Sequence, residues 1–238
     1  MRQSGALLAS VLASLRLACT PGRTTASLDA LAEELIRSQG AIPGFKGYSG
    51  FPASLCVSIN DEIIHGIPSS HRHLQEGDLV SLDCGLILDG WWADAGLSVG
   101  VGIIDPKAAK LLHAASQALT AGINAARAGR HLQDISSAIQ RSVEHSGFNV
   151  VRSYAGHGVG KSLHEDPPVP NWGHPGNGPL LQPGMVLAIE PMVVAGSPAV
   201  YVKEDGWTVA TIDRSLSSYC EHTVAVTPSG PLILTQPA

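Results

Sequence analysis

The chain has 238 residues, 44% hydrophobic and 15% charged, so a sizeable core can be buried and disorder is disfavoured. The formal net charge is −5 and no long run of lysine and arginine occurs, which disfavours nucleic acid as the main ligand because phosphate binding needs clustered positive charge. No apolar run approaches the roughly 20 residues that span a bilayer, and Cys19, Cys56, Cys84 and Cys220 stand far apart with no C-x-x-C pair, as expected of a reduced, cytoplasmic chain.

The first stretch, Arg2 and then Ala6-Leu7-Leu8 through Leu15 to Ala18-Cys19, has the outline of a signal peptide. Arg16 interrupts it, however, and Leu8, Val11, Leu12 and Leu15 recur at helical spacing, so an amphipathic helix is expected up to Thr20-Pro21-Gly22. A second helix is predicted from about Leu28 to Gln39, with Gly40 as its stop. Strands follow at Ala53–Asn60 and Leu79–Leu88; Asp89-Gly90 is a two-residue hairpin signal, so Trp91–Val99 should return antiparallel. Asp105-Pro106 opens a long helix with a capping aspartate and proline at its first position. Another helix spans Leu132–His145 and closes at Gly147. Strands are expected near Phe148–Arg152, Met185–Glu190, Val200–Lys203, Trp207–Ile212 and Glu221–Val226.

The chain also repeats itself. Gly22-Arg23 precedes a helix ending at Gly40, and 107 residues later Gly129-Arg130 precedes one ending at Gly147. The same offset relates Gly77-x-Leu-x-x-Leu-Asp83 to Gly184-x-Val-x-x-Ile-Glu190. Two matches in one register point to a duplicated unit within a single domain of residues 1–238, divided near residues 105 and 106. Each half would send a strand ending in a carboxylate toward a shared centre.

If Asp89 and Gly90 form the hairpin loop, Leu88 pairs with Trp91, Gly85 with Asp94 and Asp83 with Gly96. Asp83 and Asp94 then share a face as diagonal neighbours, roughly 7–8 Å apart. Each faces a glycine, which is expected to leave open space above that face. His157 stands in Gly156-His157-Gly158-Val159-Gly160, where the backbone is expected to turn tightly. Glu190 ends an apolar strand before Pro191, and Glu221 begins one. Four carboxylates and one imidazole buried together would repel one another unless cations neutralised them. Oxygen-rich ligation with one nitrogen and no thiolate suits Mn, Fe, Co or Zn.

Together, His65-Gly66-Ile67-Pro68, the Asp83…Asp94 spacing, Gly156-His157-Gly158-Val159-Gly160, Ile189-Glu190-Pro191-Met192 and Glu221-His222-Thr223 resemble motifs of the type I methionine aminopeptidases, from about Met1 through Leu234. The resemblance implies an α+β pita-bread fold, in which two pseudo-symmetric halves with helices packed on antiparallel sheet enclose a dinuclear site. It implies Asp83, Asp94, His157, Glu190 and Glu221 as metal ligands, with Asp94 and Glu221 bridging two divalent ions. His65 would sit near the scissile amide, His164 would hydrogen-bond the substrate carbonyl or oxyanion, and Glu190 would also shuttle a proton.

By the same resemblance, Phe45, Tyr48, Phe51, Cys56, Leu163 and Trp207 occupy positions similar to the methionine pocket, where sulfur–aromatic contacts would favour a thioether. Leu163 and Phe51 replace a phenylalanine and a tyrosine of other members, and Phe45 stands where some have cysteine, which puts the pocket's shape in question. The implied activity is removal of the initiator methionine from nascent proteins and peptides, preferring a small second residue, by a cytoplasmic monomer. Any transient ribosome contact is expected to use the catalytic domain's own surface. Two other readings compete: an Xaa-Pro peptidase, whose members share the five ligands but usually carry a long N-terminal domain, and a non-catalytic binding protein, whose members lose ligands.

Overall fold

The computed structural model describes residues 1–236. Among these residues the first half runs α1 (Arg2–Ala18), α2 (Thr25–Ser38), β1 (Ile42–Pro43), β2 (Leu55–Ile59), β3 (Glu62–Ile64), β4 (Leu79–Leu88) and β5 (Trp91–Gly100). The second runs α3 (Pro106–Ala125), α4 (Leu132–His145), β6 (Asn149–Val150), β7 (Ala155–Gly158), β8 (Glu165–Pro170), β9 (Val186–Ile189), β10 (Met192–Val194), β11 (Val200–Val202), β12 (Val209–Thr211), β13 (Ser217–Tyr219), β14 (His222–Thr227) and β15 (Gly230–Ile233).

Local chemistry explains the helix bounds. Leu8, Val11, Leu12 and Leu15 of α1 are all buried, as their spacing requires. The second helix starts three residues earlier than predicted, because the Thr24 hydroxyl accepts the Ser27 N–H at 3.2 Å and so caps it. In α3 the Asp105 carboxylate accepts the Lys107 N–H at 2.7 Å, with Pro106 at the first position. The hairpin of β4 and β5 has the expected register: Leu88 pairs with Trp91, Gly85 with Asp94 and Asp83 with Gly96. Asp89 (φ 51°) and Gly90 (φ 74°) both take the left-handed conformation its turn demands.

Sequence patterning misses β1, β3, β7, β8, β10, β13 and β15. They are short or rich in glycine and proline, and they exist because neighbouring strands supply their hydrogen bonds.

Every pairing between strands is antiparallel. Helices α1 and α2 cover β2, β4 and β5 through a core containing Leu8, Leu15, Leu28, Ile36, Val80 and Leu82. Helices α3 and α4 pack on the second half through Leu111, Ile135, Ile139, Leu187 and Val224. The two halves join where β3 pairs with β12, and again at β5, where Gly96 bridges Glu221 just before β14 and the Thr223 hydroxyl donates to the Asp94 carbonyl at 2.6 Å.

Positions 107 residues apart behave alike. Gly22 and Gly129 have φ of 83° and 81°, Gly40 and Gly147 72° and 82°, Gly77 and Gly184 92° and 99°. The Gly22 N–H donates to the Leu74 carbonyl at 2.7 Å and the Gly129 N–H to the Leu181 carbonyl at 2.9 Å, and the bridge Thr24–His73 has its counterpart in His131–Leu180. No helix among the described residues is long and apolar enough to cross a membrane.

Candidate active site

A cavity of about 380 Å³ opens between the halves, with Asp83, Asp94, His157 and Glu190 in its lining. Glu221 is buried rather than lining it. Strand register places these groups. Asp83, Gly96 and Glu221 lie in one line across β4, β5 and the residue just before β14. His157, Ala188 and Thr223 form a second line across β7, β9 and β14, and Thr223 ties that line to Asp94. Asp94, His157 and Glu221 each offer a ligand atom within 4.8 Å of the others. His157 Nε2 is 3.6 Å from both Asp94 Oδ2 and Glu190 Oε1.

Two local expectations fail. The space opposite the aspartates is filled: a Cβ on Gly85 would meet the Phe45 ring at 2.5 Å, and one on Gly96 the Tyr219 ring at 2.1 Å. The glycines therefore admit aromatic rings rather than leave a void. Nor does the backbone turn at His157, which lies inside β7. A Cβ on Gly156 would meet the Ala188 carbonyl at 2.3 Å, and one on Gly158 the Asp166 carbonyl at 2.3 Å, so these glycines let neighbouring strands approach closely.

The electrostatics ask for a counter-charge. Burial, then the Glu221 charge, pushes Asp83 well above the usual carboxylate range, and the same causes act on Asp94 and Glu190 with help from Asp83. Burial raises Glu221 to about 7 although the Tyr219 hydroxyl donates to its carboxylate. Buried Asp83 Oδ1, Asp94 Oδ1 and Glu221 Oε1 have no hydrogen-bond partner among the described residues. His157 Nδ1 is 2.9 Å from the Gly158 carbonyl; donation there leaves the Nε2 lone pair facing the carboxylates. Burial depresses this imidazole to about 4, which keeps it neutral. Unpaired buried oxygens around one neutral nitrogen fit a divalent cation. Cys56 pairs with Asp83 across β2 and β4, and burial beside these charges keeps it a thiol.

The six pocket residues named from sequence, Phe45, Tyr48, Phe51, Cys56, Leu163 and Trp207, all line the same cavity. Phe51 and Trp207 meet edge to face at 5.1 Å. His65 follows β3 with φ 60°, and its ring faces Tyr154 and Trp207 at 6.2 and 6.3 Å. His164 is exposed at the mouth, with its ring centre 4.3 Å from that of His157.

Several contributors escaped the sequence reading. Tyr219 and Thr223 stand two residues either side of Glu221, so strand alternation could have placed them on its face. Asn171 Nδ2 donates to the Glu190 carbonyl at 3.0 Å. Glu62 is buried and takes Arg72 at 2.5 Å and Lys203 at 2.7 Å, while Arg72 also donates to the Ile67 carbonyl, which clamps both ends of the His65 segment. Nothing in the sequence links residues 62, 72 and 203. Arg72→Met is expected to cost about 1–2 kcal/mol, less than a fully buried pair because Arg72 is part exposed, measured as a lowered urea midpoint. Gly66→Ala should cost about 1–3 kcal/mol in the same measurement, since its Cβ would lie 2.2 Å from the Val57 carbonyl oxygen.

Comparison with known proteins agrees with this arrangement. Residues 1–228 match metallopeptidase family M24. The chain belongs to that family. A methionine aminopeptidase of Clostridium acetobutylicum is 53% identical over 235 residues, covering 99% of this chain and 94% of its own length. The crystal structure of a methionine aminopeptidase from Thermotoga maritima superposes with a TM-score of 0.98 at 42% identity, covering 99% of this chain and 95% of that one. A prolidase from Pyrococcus furiosus shares the fold, with a TM-score of 0.79 at 20% identity over 100% of this chain and 63% of that one. The family fold is the pita-bread architecture expected from the motifs, and divalent metal use accords with both the family and the buried cluster.

Proposed function

We propose that this M24 metallopeptidase is a methionine aminopeptidase that removes the N-terminal methionine of nascent proteins and peptides, favouring a small second residue. One observation carries this reading: five ligand-type groups, four of them buried, cluster around the unpaired oxygens of Asp83, Asp94 and Glu221 and adjoin an apolar cavity walled by Phe45, Phe51, Leu163 and Trp207. Relatives of such high identity and coverage carry the same activity in their names.

Asp83, Asp94, His157, Glu190 and Glu221 would hold two divalent ions, of cobalt, manganese, iron or zinc. The chemistry such ions supply is acidification of water toward neutral pH and polarisation of the carbonyl under attack. Glu190 carries a proton from the attacking water toward the leaving amine. His164 donates to the carbonyl oxygen as negative charge grows there. His65 stands by the scissile amide, kept neutral by burial that lowers it to about 4. The aromatic and thiol wall takes up the thioether.

The internal duplication, with halves meeting near residues 105 and 106, accounts for the shared glycine conformations 107 residues apart. A cytoplasmic setting, where thiols stay reduced, fits the four free cysteines. Metal-loaded protein should release methionine from Met-Gly-Met and leave a matched Xaa-Pro peptide intact. Cleavage of the Xaa-Pro peptide instead would transfer the assignment to the prolidase branch. Cleavage of neither, with each of the four metals tried, would favour a binding protein.

A further inference from the structure

We infer that the Tyr48 hydroxyl selects the tautomer of His164 that presents its Nε2–H to the substrate carbonyl, which makes Tyr48 a positioning residue as well as a pocket wall. The inference rests on His164 acting as the oxyanion donor in the proposed function.

Tyr48 Oη lies 2.7 Å from His164 Nδ1, a short hydrogen bond between groups 116 residues apart. It can be shared in two ways. The phenol O–H is a better donor than acceptor, whereas the bare nitrogen of a neutral imidazole is among the best acceptors in a protein. Donation from Tyr48 to Nδ1 is therefore favoured and places the ring's proton on Nε2. The ring nitrogen on the opposite edge from Tyr48 is then the one that can donate. Without the hydroxyl, both tautomers and a rotated ring become accessible, and only one of these donates from Nε2.

The tyrosine is well held for the task. It sits in a tight turn where Gly47 and Gly50 have φ of 87° and 91° and Ser49 has φ 49°. The Tyr48 N–H donates to the Phe45 carbonyl and the Phe51 N–H to the Tyr48 carbonyl, each at 2.9 Å. The Trp92 ring meets Tyr48 edge to face at 6.1 Å. Since Phe45 and Phe51 also line the cavity, the turn that shapes the pocket aims the hydroxyl. The ring and the hydroxyl thus have separable duties, one in binding the side chain and one in the chemical step.

The test uses metal-loaded protein and Met-Gly-Met, comparing wild type, Tyr48→Phe, His164→Ala and the double variant. Phenylalanine keeps the ring, so KM should stay within about twofold while kcat falls about tenfold, the loss of one neutral hydrogen bond. In the His164→Ala background the Tyr48 change should add nothing. Nitrogen-15 NMR should report the Nε2–H tautomer of His164 in wild type and a mixture in Tyr48→Phe. An unchanged kcat in Tyr48→Phe beside a slow His164→Ala would overturn this inference alone, as would an equal loss in the His164→Ala background. Full turnover in His164→Ala would remove the oxyanion role from the proposed function and this inference with it.

Discussion

Replacing Asp94 by asparagine should abolish turnover and at the same time make the metal-free protein more stable. Asp94 is 4% exposed, and its carboxyl is pushed well above the usual range by burial and then by the Glu221, Asp83 and Glu190 charges. Asparagine keeps the shape, removes one of four mutually repelling groups, and brings an N–H₂ that can donate to a neighbouring carboxylate. A gain of about 1 kcal/mol would raise Tm by about 2–4 °C in a chain of this size. Catalysis moves the other way, because the substitution would remove the metal ligand proposed to serve the whole cluster; kcat/KM should fall by about 10³-fold or more. Peptide kinetics, metal content and a thermal melt on one preparation read both effects. A variant that loses activity, keeps its full metal content and melts lower than wild type would contradict the assignment of Asp94 as a ligand.

Divalent metal should raise Tm strongly, and by more at pH 8 than at pH 6. In the metal-free fold Glu221 is raised to about 7, and Asp83, Asp94 and Glu190 lie well above their ordinary values. Raised carboxylates favour folding only while protonated, so their contribution is full below the unfolded values near 4 and is lost as pH climbs through the folded ones. The depressed histidines, His65 and His157 at about 4, oppose this between about pH 4 and 6.5, and their effect is constant above that. From pH 7 to 8 the carboxylates therefore decide the slope, and metal-free protein should lose stability. Cations that neutralise the cluster remove that loss. At 100 times Kd the stabilisation is about 2.7 kcal/mol, or about 5–10 °C in Tm. Melts of metal-free and loaded protein with parallel pH dependence would mean that the cations do not sit among these groups.

Much of this molecule was legible in its sequence where a local rule decides the outcome. The bounds of α4 and β4, the β4–β5 register and the cap of α3 follow from side-chain periodicity, a two-residue turn and Asp105-Pro106, all of which act within a few residues. The 107-residue echo was visible because glycines held at positive φ leave the same mark in both halves. The ligand-type residues stood out because a carboxylate in an apolar strand is costly without a partner.

The tertiary structure decided whatever depends on what lies across a gap. Rings of Phe45 and Tyr219 fill the spaces opposite the aspartates, a close packing that no pattern within β4 or β5 encodes. The glycines around His157 make room for the Ala188 and Asp166 carbonyls of other strands, although in sequence they read as a turn. Glu62 finds Arg72 and Lys203, and Tyr48 finds His164, through contacts 10, 141 and 116 residues distant. A residue's own neighbours fix its conformation and its face. Its partners, and hence the charge and proton it carries, are fixed only when the two halves close around a common centre.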